Sequence, residues 1–373
     1  MKILITGGAG FIGSNLAKSL VARGHFVTVM DNLSPQIHGD KSPLFAAIRE
    51  QVRVLHGDVR NRADWITALE GQDVVVHLAA ETGTGQSMYE IERYVDVNVR
   101  GTALLLDLLA NQTHNVSRLV VASSRSIYGE GRYNCSSHGI IYPEARLAVD
   151  MERGDFHVKC PYCQTNAELR ATTEDSQIHP SSIYGITKQN QEQMILTVGA
   201  SLSIPAVALR YQNVYGPGQS LTNPYTGILS IFSTRIKNGN EIVIFEDGEE
   251  SRDFVFIDDV VDATAASIEL SVSGQHVVNI GSGVRTSVLD VARSLVSAYN
   301  AKIPLRISGN FRLGDIRDNY ADISKARQLL CFNPKIDFST GINRFASWVE
   351  SQSINTDKYD ASIAEMRSKG LFK

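Results

Sequence analysis

Thr6-Gly7-Gly8-Ala9-Gly10-Phe11-Ile12-Gly13 lies between a short apolar run, Lys2–Thr6, and an amphipathic stretch, Phe11–Arg23. Glycines so placed suit a tight turn, a close approach of backbone to a pyrophosphate, and close packing of helix on strand. The helix start behind them supplies free N–H groups and the positive end of a dipole. A glycine trio alone is a weak signal, but here the strand–turn–helix context surrounds it. Asp31 then ends the next apolar run, His25–Met30. A carboxylate at that place accepts hydrogen bonds from ribose hydroxyls and repels a 2′-phosphate. The stretch predicts a bound dinucleotide, NAD in preference to NADP.

Working outward, Val52–His56, Asp73–Leu78 and Arg118–Ala122 read as further buried strands, with helices around Arg62–Leu69 and Arg93–Leu109 between them. A long helix from Ile183 to Gly199 leads to a sixth strand, Ala206–Tyr211. Alternation of this kind predicts an α/β fold, a Rossmann-type doubly wound parallel sheet with right-handed crossovers. Beyond Gly216-Pro217-Gly218 the pattern loosens into short strands (Glu241–Phe245, His276–Ile280) and helices (Asp258–Leu270, Ser287–Tyr299). The expected division is a dinucleotide domain over 1–215 carrying an insertion at 130–180, a smaller α/β lobe over 216–350 with small returns to the first domain left open, and a polar tail over 351–373 that docks loosely or frays.

The 373 residues carry a net charge of −4, so no basic field exists to hold nucleic acid or an anionic membrane. No run approaches the length of a membrane span, and Met1-Lys2 leads into a run broken at Gly7, unlike a secretory signal. Four cysteines in a chain this long make no disulfide scaffold. The expected location is the cytoplasm.

Tyr184 and Lys188 stand one helical turn apart on a shared face. An ammonium beside a phenol stabilises the phenolate and makes it a usable general base. Ser124 falls at the end of the fifth strand, where ligands of such sheets collect, and its hydroxyl can hold the oxygen of a reacting alcohol. Asp58-Val59 reads either as a hold on the adenine edge or as a plain loop. Leu78-Ala79-Ala80 are small enough to let a cofactor lie close, and His77 reads as a satisfied core histidine.

With these residues in place the sequence resembles the extended short-chain dehydrogenase/reductase family, in particular its nucleotide-sugar epimerases and dehydratases. The resemblance spans residues 1–350. It rests on TGGAGFIG at 6–13, HLAA at 77–80, SSRSIYG at 123–129, YGITK at 184–188, LRYQNVYGPG at 209–218, RDFVFIDD at 252–259, NIGSG at 279–283 and RLGDIR at 312–317. It implies that Ser124, Tyr184 and Lys188 are catalytic. It adds Phe11, Ile12, Asn32 and Asn98 to the cofactor contacts, and implies that Asn213, Arg252, Arg312 and Arg317 touch the sugar nucleotide. Forked arginine donors also make sense unaided, because a dianionic pyrophosphate on an acidic protein needs local cations.

Family members that dehydrate the sugar carry an Asp-Glu pair directly after the equivalent of Ser124. Here those positions hold Arg125 and Ser126. Arginine donates no proton at neutral pH and serine is a poor base, so the reading is 4-epimerisation through a transient keto sugar. The loop Glu81–Ser87, with Thr82 and Ser87 as sugar contacts, and the insertion after Tyr128 resemble the subgroup that interconverts dTDP-L-rhamnose and dTDP-6-deoxy-L-talose. Another 4-epimerase acting on a UDP-hexose, a reductase using NADPH, and a non-catalytic NAD sensor stand as alternatives. Relatives pair two-fold through the helices at Arg93–Leu109 and Ile183–Gly199, which implies a homodimer.

Cys135 and His138, with Cys160 and Cys163 beyond them, have the ligand count and pair spacing of a tetrahedral structural zinc. Two other readings stay open: a Cys-Pro-Tyr-Cys dithiol of the glutaredoxin kind, and three free cysteines in a surface loop.

Overall fold

The computed structural model describes residues 1–373 apart from 39–42, 222, 224, 226, 270–272 and 354–356. Its first strands are β1 (Lys2–Thr6), β2 (Phe26–Asp31), β3 (Arg53–His56), β4 (Val74–His77) and β5 (Arg118–Ser124). The insertion contributes β6 (Tyr133–Cys135), β7 (Gly139–Ile141) and β8 (Glu168–Leu169). There follow β9 (Ala206–Tyr211), β10 (Asn213–Tyr215), β11 (Ile242–Ile244), β12 (Ser251–Phe256), β13 (Gln275–Ile280), β14 (Arg285–Ser287), β15 (Leu305–Ile307) and β16 (Asp318–Asn319).

Seven of these form one parallel sheet in the order β3-β2-β1-β4-β5-β9-β13. Successive side chains of a strand point to opposite faces. Ile3 and Ile5 therefore pack with Leu16, Ala17 and Leu20 of the helix Phe11–Ala22 and with Val260 and Ile268 of the helix Ile257–Glu269. Leu4 packs on the other face, with Trp65, Leu105 and Leu108, and with Ile195 of the helix Ile183–Ser201. Both faces are covered, which is why these strands read as continuous apolar runs. The chain order reverses between β1 and β4, and Thr6 lies level with His77 across that junction. A crevice opens at the carboxyl ends of strands at such a junction.

Two open expectations become specific. His276–Ile280, read among the strands of the smaller lobe, is a return to the first domain: as β13 it is the seventh strand of the main sheet, pairing with β9 from Gln275↔Ala206 to Ile280↔Tyr211. An apolar run does not say which sheet it will join, and the helix Ile257–Glu269 carries the chain back across the large sheet. The smaller lobe thus draws on both sides of that strand: β12 pairs with β10, β14 and β16, and β11 pairs with β15.

Of the two readings of the polar tail, the described residues show the docked one. Its helix Tyr359–Ser368 and Phe372 bury Tyr359, Ile363, Met366 and Phe372 against Ile231 and Phe245. Phe311 and Lys373 exchange backbone hydrogen bonds, and Leu313 N–H donates to the Leu371 carbonyl. The last residues therefore clamp the segment that holds Arg312. Residues 354–356 of the expected tail lie outside the described residues.

Candidate active site

A cavity of about 410 Å³ lies at the strand-order reversal and runs from the glycine loop to the end of β9. That is within the usual range for a ligand site. Gly7, Gly10, Phe11, Ile12, Gly13, Asp31, Asn32, Val59, Leu78, Ala79, Ala80, Thr82, Ser124, Tyr184, Lys188 and Asn213 all line it. The glycines are required by space. Gly7 has φ +66° and a Cβ there would sit 2.9 Å from the Ala79 backbone; one at Gly13 would sit 2.4 Å from the Gly7 carbonyl. Asp31 closes this end, accepting the Ala9 N–H at 3.0 Å and the Leu33 N–H at 2.9 Å, with His38 Nε2 at 3.2 Å.

Ser124 ends β5 and caps the short helical turn after it. Its Oγ accepts from the Ser126 N–H at 3.2 Å and from the Ser126 hydroxyl at 2.9 Å. Its own proton is left to donate to the Tyr184 phenol, with which it is hydrogen-bonded. Burial pushes that phenol above the usual tyrosine value, and the Ser124 hydroxyl and the Arg125 guanidinium pull it back part of the way. The cation acting on Tyr184 is thus Arg125, which is held by Nε to Asn213 Oδ1 at 2.9 Å. Lys188, expected to fill that role, is turned elsewhere. Its Nζ donates to Gln191 Oε1 at 2.8 Å, and burial pushes its ammonium down to about 7.

Gln191 was not singled out from the sequence. Its amide donates to Thr102 Oγ1 at 2.9 Å and lies 3.3 Å from His77 Nε2, and His77 Nδ1 lies 2.7 Å from Thr6 Oγ1. His77 is the satisfied core histidine expected; burial pushes it down to about 3, with Lys188 adding to the effect. Gln212 was missed too. It lies between β9 and β10, lines the cavity, and leaves both side-chain amide atoms buried without a partner, the mark of a group that waits for a ligand. Only its place beside Asn213 could have pointed to it.

Several expected contacts are not made. Arg317 is turned away from the cavity: its guanidinium is taken up by Glu246 at 2.9 Å and Asp247 at 2.6 Å. Arg252 spends its terminal nitrogens on the Ser251, Ile316 and Arg317 carbonyls and on Asp315 at 3.0 Å. Asn98 does not line the cavity. In a π-helical turn over Val95–Arg100, it donates to the Glu81 carbonyl and to Thr187 Oγ1 and accepts the Glu81 N–H, so it joins the loop after β4 to the Tyr184 helix. Ser87 is fully buried and accepts the Tyr184 N–H at 3.0 Å, so it positions the helix start. Asp58 is engaged by Arg60 and Asn32, which hold its carboxyl down to about 2. Arg312 lines a second, smaller crevice with Thr84, Ser181 and Ser182. Its guanidinium lies over the Phe245 ring and its Nε is buried without a partner.

The family model described as the NAD dependent epimerase/dehydratase family matches residues 3–145 and 159–281. The chain belongs to this family. It is 38% identical over 354 residues to a dTDP-L-rhamnose 4-epimerase of Burkholderia thailandensis, covering 94% of this chain and 95% of that one. It is 30% identical to a putative UDP-glucose 4-epimerase of Methanocaldococcus jannaschii, covering 94% of this chain and 99% of that one. Among solved structures it resembles the UDP-glucuronic acid 4-epimerase from Bacillus cereus in complex with UDP-glucuronic acid and NAD. There the TM-score is 0.77 and the identity 27%, over 94% of this chain and 99% of the other.

As a member of the NAD-dependent nucleotide-sugar epimerases, the protein has a cavity that suits its cofactor. Gly7, Gly10 and Gly13 let the loop fold tightly on its own backbone and on Ala79, so that backbone lines the cavity beside the helix start, and a carboxylate stands at the far end. Lys188 gives this family site a measurable cost. A lysine titrating near 7 when folded and at about 10.4 when unfolded binds fewer protons folded than unfolded between those values. Stability then rises with pH across that window. In NAD-free protein, Lys188→Met is expected to raise the thermal midpoint at pH 7 by a few degrees, with the advantage shrinking towards pH 10. Thermal unfolding across that range checks it, and a midpoint equal to or below wild type at pH 7 would contradict it.

Proposed function

We propose that this epimerase acts on dTDP-L-rhamnose, converting it to dTDP-6-deoxy-L-talose by inversion at C4. The observation that carries the reaction type is the hydrogen-bonded Ser124–Tyr184 pair in the cavity, followed by Arg125 and Ser126 with no acid–base pair for dehydration. The sugar nucleotide is supported by the 38% identity to the Burkholderia enzyme along nearly the whole chain.

Ser124 holds the C4 oxygen of the sugar, and Tyr184 takes its proton. Ser126 fixes the Ser124 rotamer, and Arg125 supports the phenolate. NAD, when bound, supplies a hydride acceptor and then a hydride donor at C4. Gly7, Gly10, Gly13 and Asp31 would hold its phosphates and ribose, and Lys188, which lines the same cavity, would help to hold it. The sugar turns within the cavity, and Tyr184 returns the proton as hydrogen is added to the other face. Gln212, with both amide atoms unpartnered, contacts the bound molecules. Arg312 is the arginine left to meet the pyrophosphate, because Arg317 is paired with acids and Arg252 is fully engaged. The zinc expected at Cys135, His138, Cys160 and Cys163 has no part in these steps, since none of those side chains lines the cavity.

The helices around Ile91–Tyr94 and Ile183–Ser201 leave Ile91, Val95 and Ile186 exposed, which supports a homodimer through that face. A sedimentation mass of one chain would contradict the dimer. No described helix is long and apolar enough to cross a membrane. Free cysteines are in keeping with a reducing, cytoplasmic setting.

Purified protein incubated with dTDP-L-rhamnose, without added cofactor, is expected to form the talose epimer. Tyr184→Phe should retain NAD and lose about 10²–10⁴-fold in rate, the worth of a general base. Epimerisation of UDP-glucose instead would move the substrate assignment to a UDP-hexose. Consumption of NADPH would make it a reductase, and bound NAD with no turnover of either sugar would leave a sensor.

A further inference from the structure

The insertion between Tyr128 and Tyr184 has little to hold it together. Its own core is small: Tyr133, Cys135, Ile141, Val158 and Cys160 are buried, with Ala167 and Leu169 packed beside them. Its three strands span three, three and two residues. A unit of this size ordinarily needs a disulfide or a metal.

Three of the chain's four cysteines and one histidine converge at that core. The donor atoms of Cys135, His138, Cys160 and Cys163 all lie within 4.8 Å of one another. Cys135 Sγ is 3.6 Å from Cys163 Sγ, and His138 Nδ1 is 3.5 Å from both Cys135 Sγ and Cys160 Sγ. A tetrahedral zinc with bonds of about 2.3 Å to sulfur and about 2.0–2.1 Å to nitrogen sets S···S edges near 3.8 Å and S···N edges near 3.6 Å. The three edges just given come close to those lengths, and the remaining ones lie within 4.8 Å. A disulfide would need about 2.05 Å, and all three cysteines are free.

The backbone is also arranged for thiolates. The Ser137 and His138 N–H groups point at Cys135 Sγ, those of Tyr162 and Cys163 at Cys160 Sγ, and that of Thr165 at Cys163 Sγ. The Cys160–Cys163 turn closes through Cys160 N–H to the Thr165 carbonyl and Gln164 N–H to the Cys160 carbonyl, with Gln164 at φ +59°. It is a turn, not a helix start, which removes the glutaredoxin-like reading: a reactive dithiol needs its first sulfur at a helix N-terminus.

We infer that Cys135, His138, Cys160 and Cys163 bind one structural Zn²⁺, which closes the insertion and, through it, fixes the segment carrying Arg312. That segment leans on the insertion at several points. Arg146 bonds Glu130 and Glu246 and donates to the Asp315 carbonyl. Glu130 accepts the Arg317 N–H at 2.7 Å. Thr172 exchanges backbone hydrogen bonds with Tyr320 and Asp322, and the Tyr133 hydroxyl reaches Asp318. The metal has no open coordination position and no chemistry of its own; its ligands are the four protein groups.

The test is metal content of tag-free, full-length protein purified under reducing conditions without chelator. About one zinc per chain is expected, falling below about 0.2 in Cys160→Ser and His138→Ala. Cys331→Ser, which alters the cysteine outside the cluster, should keep its zinc. Replacement by Co²⁺ should give the visible bands of a tetrahedral thiolate site. Should the cluster variants fail to fold, chelation of wild type gives the same reading: zinc removal should lower the thermal midpoint and re-addition restore it, with bound NAD unchanged. Wild-type protein that is folded, nearly zinc-free and unable to take up Zn²⁺ or Co²⁺ would overturn the inference. So would full zinc content in Cys160→Ser.

Discussion

Burying a phenol and an ammonium in one cavity works against the ionised form of each, and the site is organised around that conflict. Tyr184 is raised by burial and Lys188 is lowered by it. Neither is left to water. Ser124 and Arg125 favour the phenolate, while Gln191 holds the lysine within a chain of hydrogen bonds through Thr102 and His77 to Thr6 on β1. The central strands thus support the catalytic helix through polar contacts as well as packing. Ser124 and Arg125 offset only part of what burial does to Tyr184, so the proton chemistry proposed for it depends on both of them and on further stabilisation of the phenolate.

A second set of buried charges ties the smaller lobe together. Arg146, from the insertion, and Arg317, from the lobe, share Glu246. Breaking one partner of such a pair leaves a buried charge unmatched, a cost of several kcal/mol. The insertion and the C-terminal tail both end on residues 311–322. These two additions therefore act on the same segment, the one that carries Arg312.

The large sheet was legible because its strands are covered on both faces and read as short apolar runs between glycine and helix signals. Lys2–Thr6 and Ala206–Tyr211 have the same bounds in sequence and structure. β13 was equally visible as a strand, but which sheet it joins was not legible, since pairing partners are decided by where a crossover helix packs. Candidate residues on the glycine loop, at Ser124 and at Tyr184 meet in one cavity because motif spacing reflects backbone geometry. The arginines were harder to read. A motif shows that Arg252 and Arg317 are present, but their partners Asp315, Glu246 and Asp247 are set by tertiary contacts. The tail stayed open for a similar reason: Ile363, Met366 and Phe372 are too dispersed among polar residues to announce a buried face.

The central claim is that one carbinol carbon is oxidised and reduced again within the closed site, with Tyr184 moving the proton. The most direct test uses dTDP-L-rhamnose deuterated at C4, converted without added cofactor and followed by mass spectrometry and proton NMR. The account predicts that the talose epimer keeps its deuterium at C4, with a slowed rate and no hydrogen taken from solvent at that carbon. Loss of the label to water, or uptake of solvent deuterium at C4 from unlabelled sugar, would contradict it.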